Sequence, residues 1–144
     1  MNKDNISLLA VSFSKGFISP QIPIATFLQG NKKLNFILDT GSDKNVVDES
    51  VLNEIEHEKL ESANPLTLTG VGGVVEVKIC KIPFQNQDDH TAYNPTFLVT
   101  NLKDQFDSLE DTHGIKIHGM LGSLFLKEHN LVLDFTSLTA YSKG

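Results

Sequence analysis

Cysteine is nearly absent: Cys80 is the only one in 144 residues. No intramolecular disulfide can form, and a cysteine-rich zinc site is excluded. That usage suits a reducing compartment, so a cytoplasmic location is the expectation. Long apolar runs are also missing, which excludes a membrane-spanning helix. The weakly apolar stretch from Ile6 to Phe13 is broken by serines and is too weak for a secretory signal. Basic residues are few, 12 against 18 acidic ones for a net charge of −6, and form no cluster. The sequence therefore predicts no nucleic-acid partner and no membrane partner. His57, His90, His113, His118 and His129 lack metal-ligand spacing, and no metal or organic cofactor is expected. The glycine-rich stretch from Gly70 to Gly73 is not followed by Lys-Ser or Lys-Thr, which excludes a phosphate-binding loop. Repeats, linkers and low-complexity segments are absent, so one domain over residues 1–144 is expected, its core at about 20–141.

What is present reads as short strands. Residues 21–28 and 34–38 flank the turn-rich Gln29-Gly30-Asn31-Lys32 and predict a hairpin. In its second strand Leu34, Phe36 and Leu38 share one face, the period-2 pattern of a half-buried strand. Residues 74–80 alternate in the same way, and 96–100, 131–135 and 138–141 are further strand candidates rich in β-branched or aromatic residues. Residues 50–60 and 122–129 carry helical spacing, the second with Asn130 placed to end it. Residues 86–95 and 103–114 are polar and turn-rich, and read as surface loops. Buried among strands, Cys80 is expected to be a structural thiol.

The chemistry concentrates in Phe36-Ile37-Leu38-Asp39-Thr40-Gly41-Ser42. A carboxylate placed directly after an apolar strand is partly desolvated, and desolvation favours the protonated form of an acid. Gly41 allows a tight backbone path, and Thr40 and Ser42 bring hydroxyls that can orient the acid. These are the parts of a positioned acid–base group. Asp-Thr-Gly alone equally describes a turn at a strand end.

Two more segments, in order, make the pattern specific. The glycine-rich turn Gly70-Val71-Gly72-Gly73 lies between strands, and Gly119-Met120-Leu121-Gly122 enters a helix and then a strand at Leu131 to Phe135. Together with the acid loop they resemble the aspartic proteases, both the retroviral kind and single lobes of the pepsin kind, over about Ile22 to Phe135. The resemblance implies an all-β, retropepsin-like closed barrel with one or two short helices, one lobe per chain. It implies Asp39 as the catalytic acid, supported by Thr40, Gly41 and Ser42. Thr40 would bond across a two-fold axis and Ser42 would bond to the Asp39 carboxylate. Gly70, Val71, Gly72 and Gly73 would form a substrate-binding flap, and Met120, Leu121 and Gly122 would pack against the acid loop. The sequence departs from the retroviral pattern at two places: Ser42 replaces the usual alanine, and Ser123 stands where an arginine would pair with Asp43. The flap also lacks the tyrosine of pepsin-like enzymes.

The chain has only one Asp-Thr-Gly, whereas this chemistry needs two carboxylates that share a proton. A symmetric homodimer supplies the second. The expectation is an aspartic endopeptidase acting on an extended polypeptide. The alternative is a peptide-binding or dimerisation module of the same fold with weak or no catalysis, and a metal-dependent hydrolase is the weakest reading.

Overall fold

The computed structural model describes residues 5–12, 21–60, 66–70, 73–87, 90–136 and 139–142. The strands are β1 (Asn5–Ser12), β2 (Gln21–Gln29), β3 (Lys32–Leu38), β4 (Val46–Asp48), β5 (Glu58–Leu60), β6 (Leu66–Gly70) and β7 (Gly73–Lys81). They continue with β8 (Phe84–Asn86), β9 (Ala92–Tyr93), β10 (Thr96–Thr100), β11 (Gly119–Leu121), β12 (Leu131–Asp134) and β13 (Thr139–Ser142). A 3-10 helix (Glu49–Glu54) follows β4, α1 (Lys103–His113) precedes β11, and α2 (Ser123–Glu128) follows it. The strands form a sheet in the order β12-β13-β1-β2-β3-β11-β4-β10-β7-β5, with β6 on β7 and β8 joined to β2 and β9. The expected all-β lobe is thus present, a sheet curled into a half-barrel with few short helices.

The β2–β3 hairpin turns at Gly30-Asn31, with Gln29 opposite Lys32. Alternation along β3 sends Leu34, Phe36 and Leu38 into the main core, where their exposures are 0%, 0% and 5%. There Phe36 packs near Phe97, with ring centres 5.4 Å apart, and near Phe84 at 5.1 Å. Tyr93 and Phe125 close the same cluster at 5.5 Å. Each such ring stabilises the fold by roughly 1.5–3 kcal/mol through burial. Phe36 lies three residues before Asp39, so the core grips the strand that delivers the acid.

Three segments differ from the sequence expectation, and one on which it made no structural reading is a strand. Residues 103–114 form no loop; they hold helix α1, whose Phe106 and Leu109 are buried one turn apart. Gly114, at φ +70°, ends it in the left-handed conformation and donates its N–H to Glu110 O at 2.7 Å. Helix α1 builds a second core with Ile24, Ile37, Ile117 and the half-buried Met120. That core explains why Ile37, on the opposite face of β3, is buried as well.

Residues 50–60 form no α-helix; the 3-10 turn stops at Glu54, and β5 then pairs with β7 (Glu58 opposite Lys81). Within residues 86–95, β9 pairs with β8 (Phe84 opposite Tyr93), which buries Tyr93. The stretch after Ile6 is part of β1, held between β13 and β2. Elsewhere the expectations hold: β7, β10, β12, β13 and α2 lie where the pattern placed them, and Asn130 follows α2 at φ 53°. Cys80 is 1% exposed, and burial pushes its thiol up to about 11, which makes it inert.

Candidate active site

Asp39 emerges where β3 leaves the core, half-buried, with Thr40 and Gly41 exposed beyond it. Its position is fixed by backbone geometry. Strand β11 runs parallel to β3 (Gly119 beside Phe36, Met120 beside Ile37, Leu121 beside Leu38) and antiparallel to β4 (Met120 beside Val46). The parallel ladder ends with the Asp39 N–H donating to Leu121 O at 2.9 Å. The loop then curls back on the acid. Gly41 N–H donates to Asp39 Oδ1 at 3.0 Å and Ser42 N–H to Asp39 O at 3.4 Å. The hydrogen bond from the Gly41 N–H fixes the rotamer of the carboxyl.

The outgoing limb is tied to α2. Ser123 N–H donates to Ser42 O at 2.7 Å and Leu124 N–H to Asp43 O at 3.3 Å. These two N–H groups open the helix and have no partner inside it, so the loop carbonyls complete them. Contact between the limbs is close. A Cβ on Gly122 would stand 2.6 Å from Lys44 O, and one on Gly119 would stand 2.3 Å from Val46 O. Leu121 is fully buried in the main core, and Met120 joins the second core over α1. Met120, Leu121 and Gly122 are therefore brought against the acid loop.

Ser42 differs from what the resemblance implies. Its Oγ donates to Lys44 O at 3.2 Å and accepts from Lys44 N–H at 3.3 Å, and does not engage the Asp39 carboxylate. A hydroxyl two residues from those groups satisfies itself within the local turn. Gly70 and Gly73 face each other at the end of the β6–β7 hairpin. Val71 and Gly72, the expected flap tip, lie outside the described residues.

Three residues near the acid loop carry structural work that the motif does not announce. Asn45 bonds Gly122 N–H through Oδ1 at 2.9 Å. Asp48, 2% exposed, accepts from Ser50 N–H at 3.4 Å and Leu102 N–H at 3.0 Å, joining the 3-10 helix to the start of α1. His118, 6% exposed, lies between β3 and β4. It donates its N–H to Asn35 O at 2.9 Å, accepts Asp48 N–H on its carbonyl at 3.0 Å, and accepts Asn35 N–H on Nδ1 at 3.1 Å. Burial, helped by the charge of Lys116, lowers its pKa to about 4. The ring is thus neutral, with its proton on Nε2, because Nδ1 must accept. Lys116 itself pairs with Glu54 and holds that exposed carboxyl below its usual range. The signals in the sequence are Asn45, a polar residue before the apolar Val46-Val47, and His118, the one histidine placed beside Gly119 of the clamp segment.

The arrangement presents a rigidly held carboxylate on an exposed loop tip. A family model described as aspartyl protease matches residues 25–125. Neither the curated proteins nor the solved structures contain a significant match. Because the matched stretch contains β3, the acid loop and the β11 clamp in that order, the chain belongs to the aspartyl proteases, within their retropepsin-like clan.

Proposed function

We propose that the chain is one half of an aspartic endopeptidase, active as a symmetric homodimer in which Asp39 and its copy share one proton. The observation that carries this reading is the loop itself. Its two limbs are bonded to β11 and α2, while Thr40 and Gly41, next to the acid, are exposed in the single chain. A rigid loop with an exposed tip is what an isologous contact needs, and one Asp-Thr-Gly per chain means that the second acid comes from a second copy. Across the axis, Thr40 of each loop would bond to the other.

Two carboxylates held that close cannot both be ionised cheaply, so one keeps its proton. The ionised carboxylate takes a proton from a water, whose oxygen attacks the scissile carbonyl carbon. The protonated one gives its proton to the carbonyl oxygen. The tetrahedral diol then collapses, the C–N bond breaks, and the amine leaves with a proton returned from the pair. No acyl-enzyme forms. The β6–β7 hairpin would cover an extended peptide and pair with its backbone, as a strand added to a sheet edge does.

Asp39→Asn tests this directly. The variant is expected to fold and dimerise normally, as judged by sedimentation, with cleavage of a peptide library abolished. Mixing it one to one with the unmodified protein and re-equilibrating should halve, to about 50%, the activity per unmodified chain, because mixed dimers have a single usable acid. Cleavage that persists in Asp39→Asn ends the mechanism. Pepstatin-type inhibitor binding without turnover at any pH would assign the chain to peptide binding instead.

A further inference from the structure

At the junction between the acid loop and α2, the N–H groups of Gly122, Ser123 and Leu124 all precede the first bond of the helix, from Leu126 N–H to Gly122 O at 3.3 Å. Ser123 and Leu124 find loop carbonyls. The Gly122 N–H instead donates to the Asn45 side chain, Oδ1 at 2.9 Å. The same amide donates from Nδ2 to Thr96 O at 3.1 Å, at the start of β10, and the Asn45 carbonyl accepts Leu98 N–H at 2.9 Å. Asn45 thus ties together the outgoing limb of the acid loop, the entry to α2 and strand β10. Only an amide side chain offers an acceptor and a donor on one rigid plane at this length. Ser123, beside the loop, offers no cation to Asp43, so this junction is held by neutral groups.

We propose that Asn45 is a positioning residue for the catalytic acid: its amide fixes the outgoing limb of the loop whose incoming limb is fixed by the Asp39–Leu121 bond. This rests on the proposed pairing of Asp39 with its copy. Two acids that share a proton tolerate little displacement, and misplacing a reacting group by about 1 Å costs up to roughly 100-fold in rate. Asn45 acts through that geometry and does not itself touch substrate.

The test is Asn45→Ala in the full chain, with Asn45→Asp, which keeps the acceptor for Gly122, as the second variant. Dimer content is measured by sedimentation and active sites are counted with a pepstatin-type inhibitor. The expected result for Asn45→Ala is a kcat about 10- to 100-fold lower with KM changed less than about threefold. Amide exchange at Gly122 and Asp39 should accelerate at least about tenfold while Phe36, in the core, is unchanged. Should Asn45→Ala fail to fold, the same measurements on Asn45→Asp decide, with a smaller change expected at Gly122. Wild-type kcat in the folded variant overturns the proposal, and so does exchange that accelerates evenly across the core. If the unmodified protein cleaves no peptide, the proposed function fails separately. The exchange pattern then decides this inference alone: local acceleration at Gly122 and Asp39 supports it, and uniform acceleration or none overturns it.

Discussion

His118 makes acid pH a measurable perturbation of the fold. Its Nδ1 accepts the Asn35 N–H, so a proton arriving there would face another proton and break a bond between the 116–118 segment and β3. The surrounding charges divide: burial and Lys116 oppose protonation, as does Lys32, while Glu54 favours it. The net effect takes the pKa from 6.5 in an ordinary histidine to about 4 in the folded chain. The unfolded chain takes up a proton as pH falls below 6.5 and the folded chain does not. The stability that the neutral His118 confers is therefore complete above pH 6.5, declines from there to about pH 4, and levels off below. At roughly 1.4 kcal/mol per pH unit, that gap amounts to about 3 kcal/mol. His118→Asn isolates the effect, because an asparagine Oδ1 can accept the Asn35 N–H and carries no titrating proton. Urea unfolding of both proteins at matched concentration, from pH 7.5 to 3.5, supplies the comparison. The difference in unfolding free energy should move by about 3 kcal/mol in favour of the variant as pH falls, other carboxyls cancelling in the subtraction. Parallel pH curves for the two proteins would refute the reasoning.

The close approach of the two limbs predicts that Gly122→Ala destabilises the fold by about 2 kcal/mol or more, since its Cβ would meet the Lys44 backbone at 2.6 Å. Gly119→Ala, at 2.3 Å from Val46 O, should cost more, and a urea midpoint unchanged in either variant would contradict the packing described. Phe106→Ala empties the second core and is expected to cost about 3 kcal/mol. Because that core also contains Ile37 and Met120, amide exchange should rise both in α1 and at Asp39, whereas exchange confined to α1 would separate the helix from the site.

The features legible in the sequence were those written in local pattern. The alternation of Leu34, Phe36 and Leu38 defined β3, and the residues immediately after it defined the acid loop. Met120-Leu121-Gly122 was recognisable only through the resemblance, and the structure supplies the physical reason at Gly122, whose Cβ would stand 2.6 Å from Lys44 O. Helix α1 was not legible for a physical reason. Only Phe106 and Leu109 of its eleven residues are buried, and one of its first free N–H groups, on Leu102, is satisfied by Asp48, 54 residues earlier. Strand β5 is likewise set by its pairing with β7, against the helical spacing of Val51, Leu52 and Ile55. Burial of Ile37 followed from α1 and so could not be read before it. At Ser42 the resemblance gave the residue but not its bond, because a hydroxyl has two local partners on Lys44 within reach.

The neutral character of the clamp bears on the chemistry it serves. Asp39, Ser42, Asp43 and Asn45 are held to β11 and α2 through N–H, carbonyl and amide groups. None of these titrates between neutral and acid pH, and none is screened by salt as an ion pair would be. An arginine at position 123 facing Asp43 would weaken as the carboxylate discharged. A serine there gives up that charge, so no ion pair between positions 43 and 123 is lost under acid. The titratable weak point lies instead in His118, three residues before Leu121 on the segment that leads into β11. Acid should therefore loosen the support behind β3 before it loosens the junction at α2.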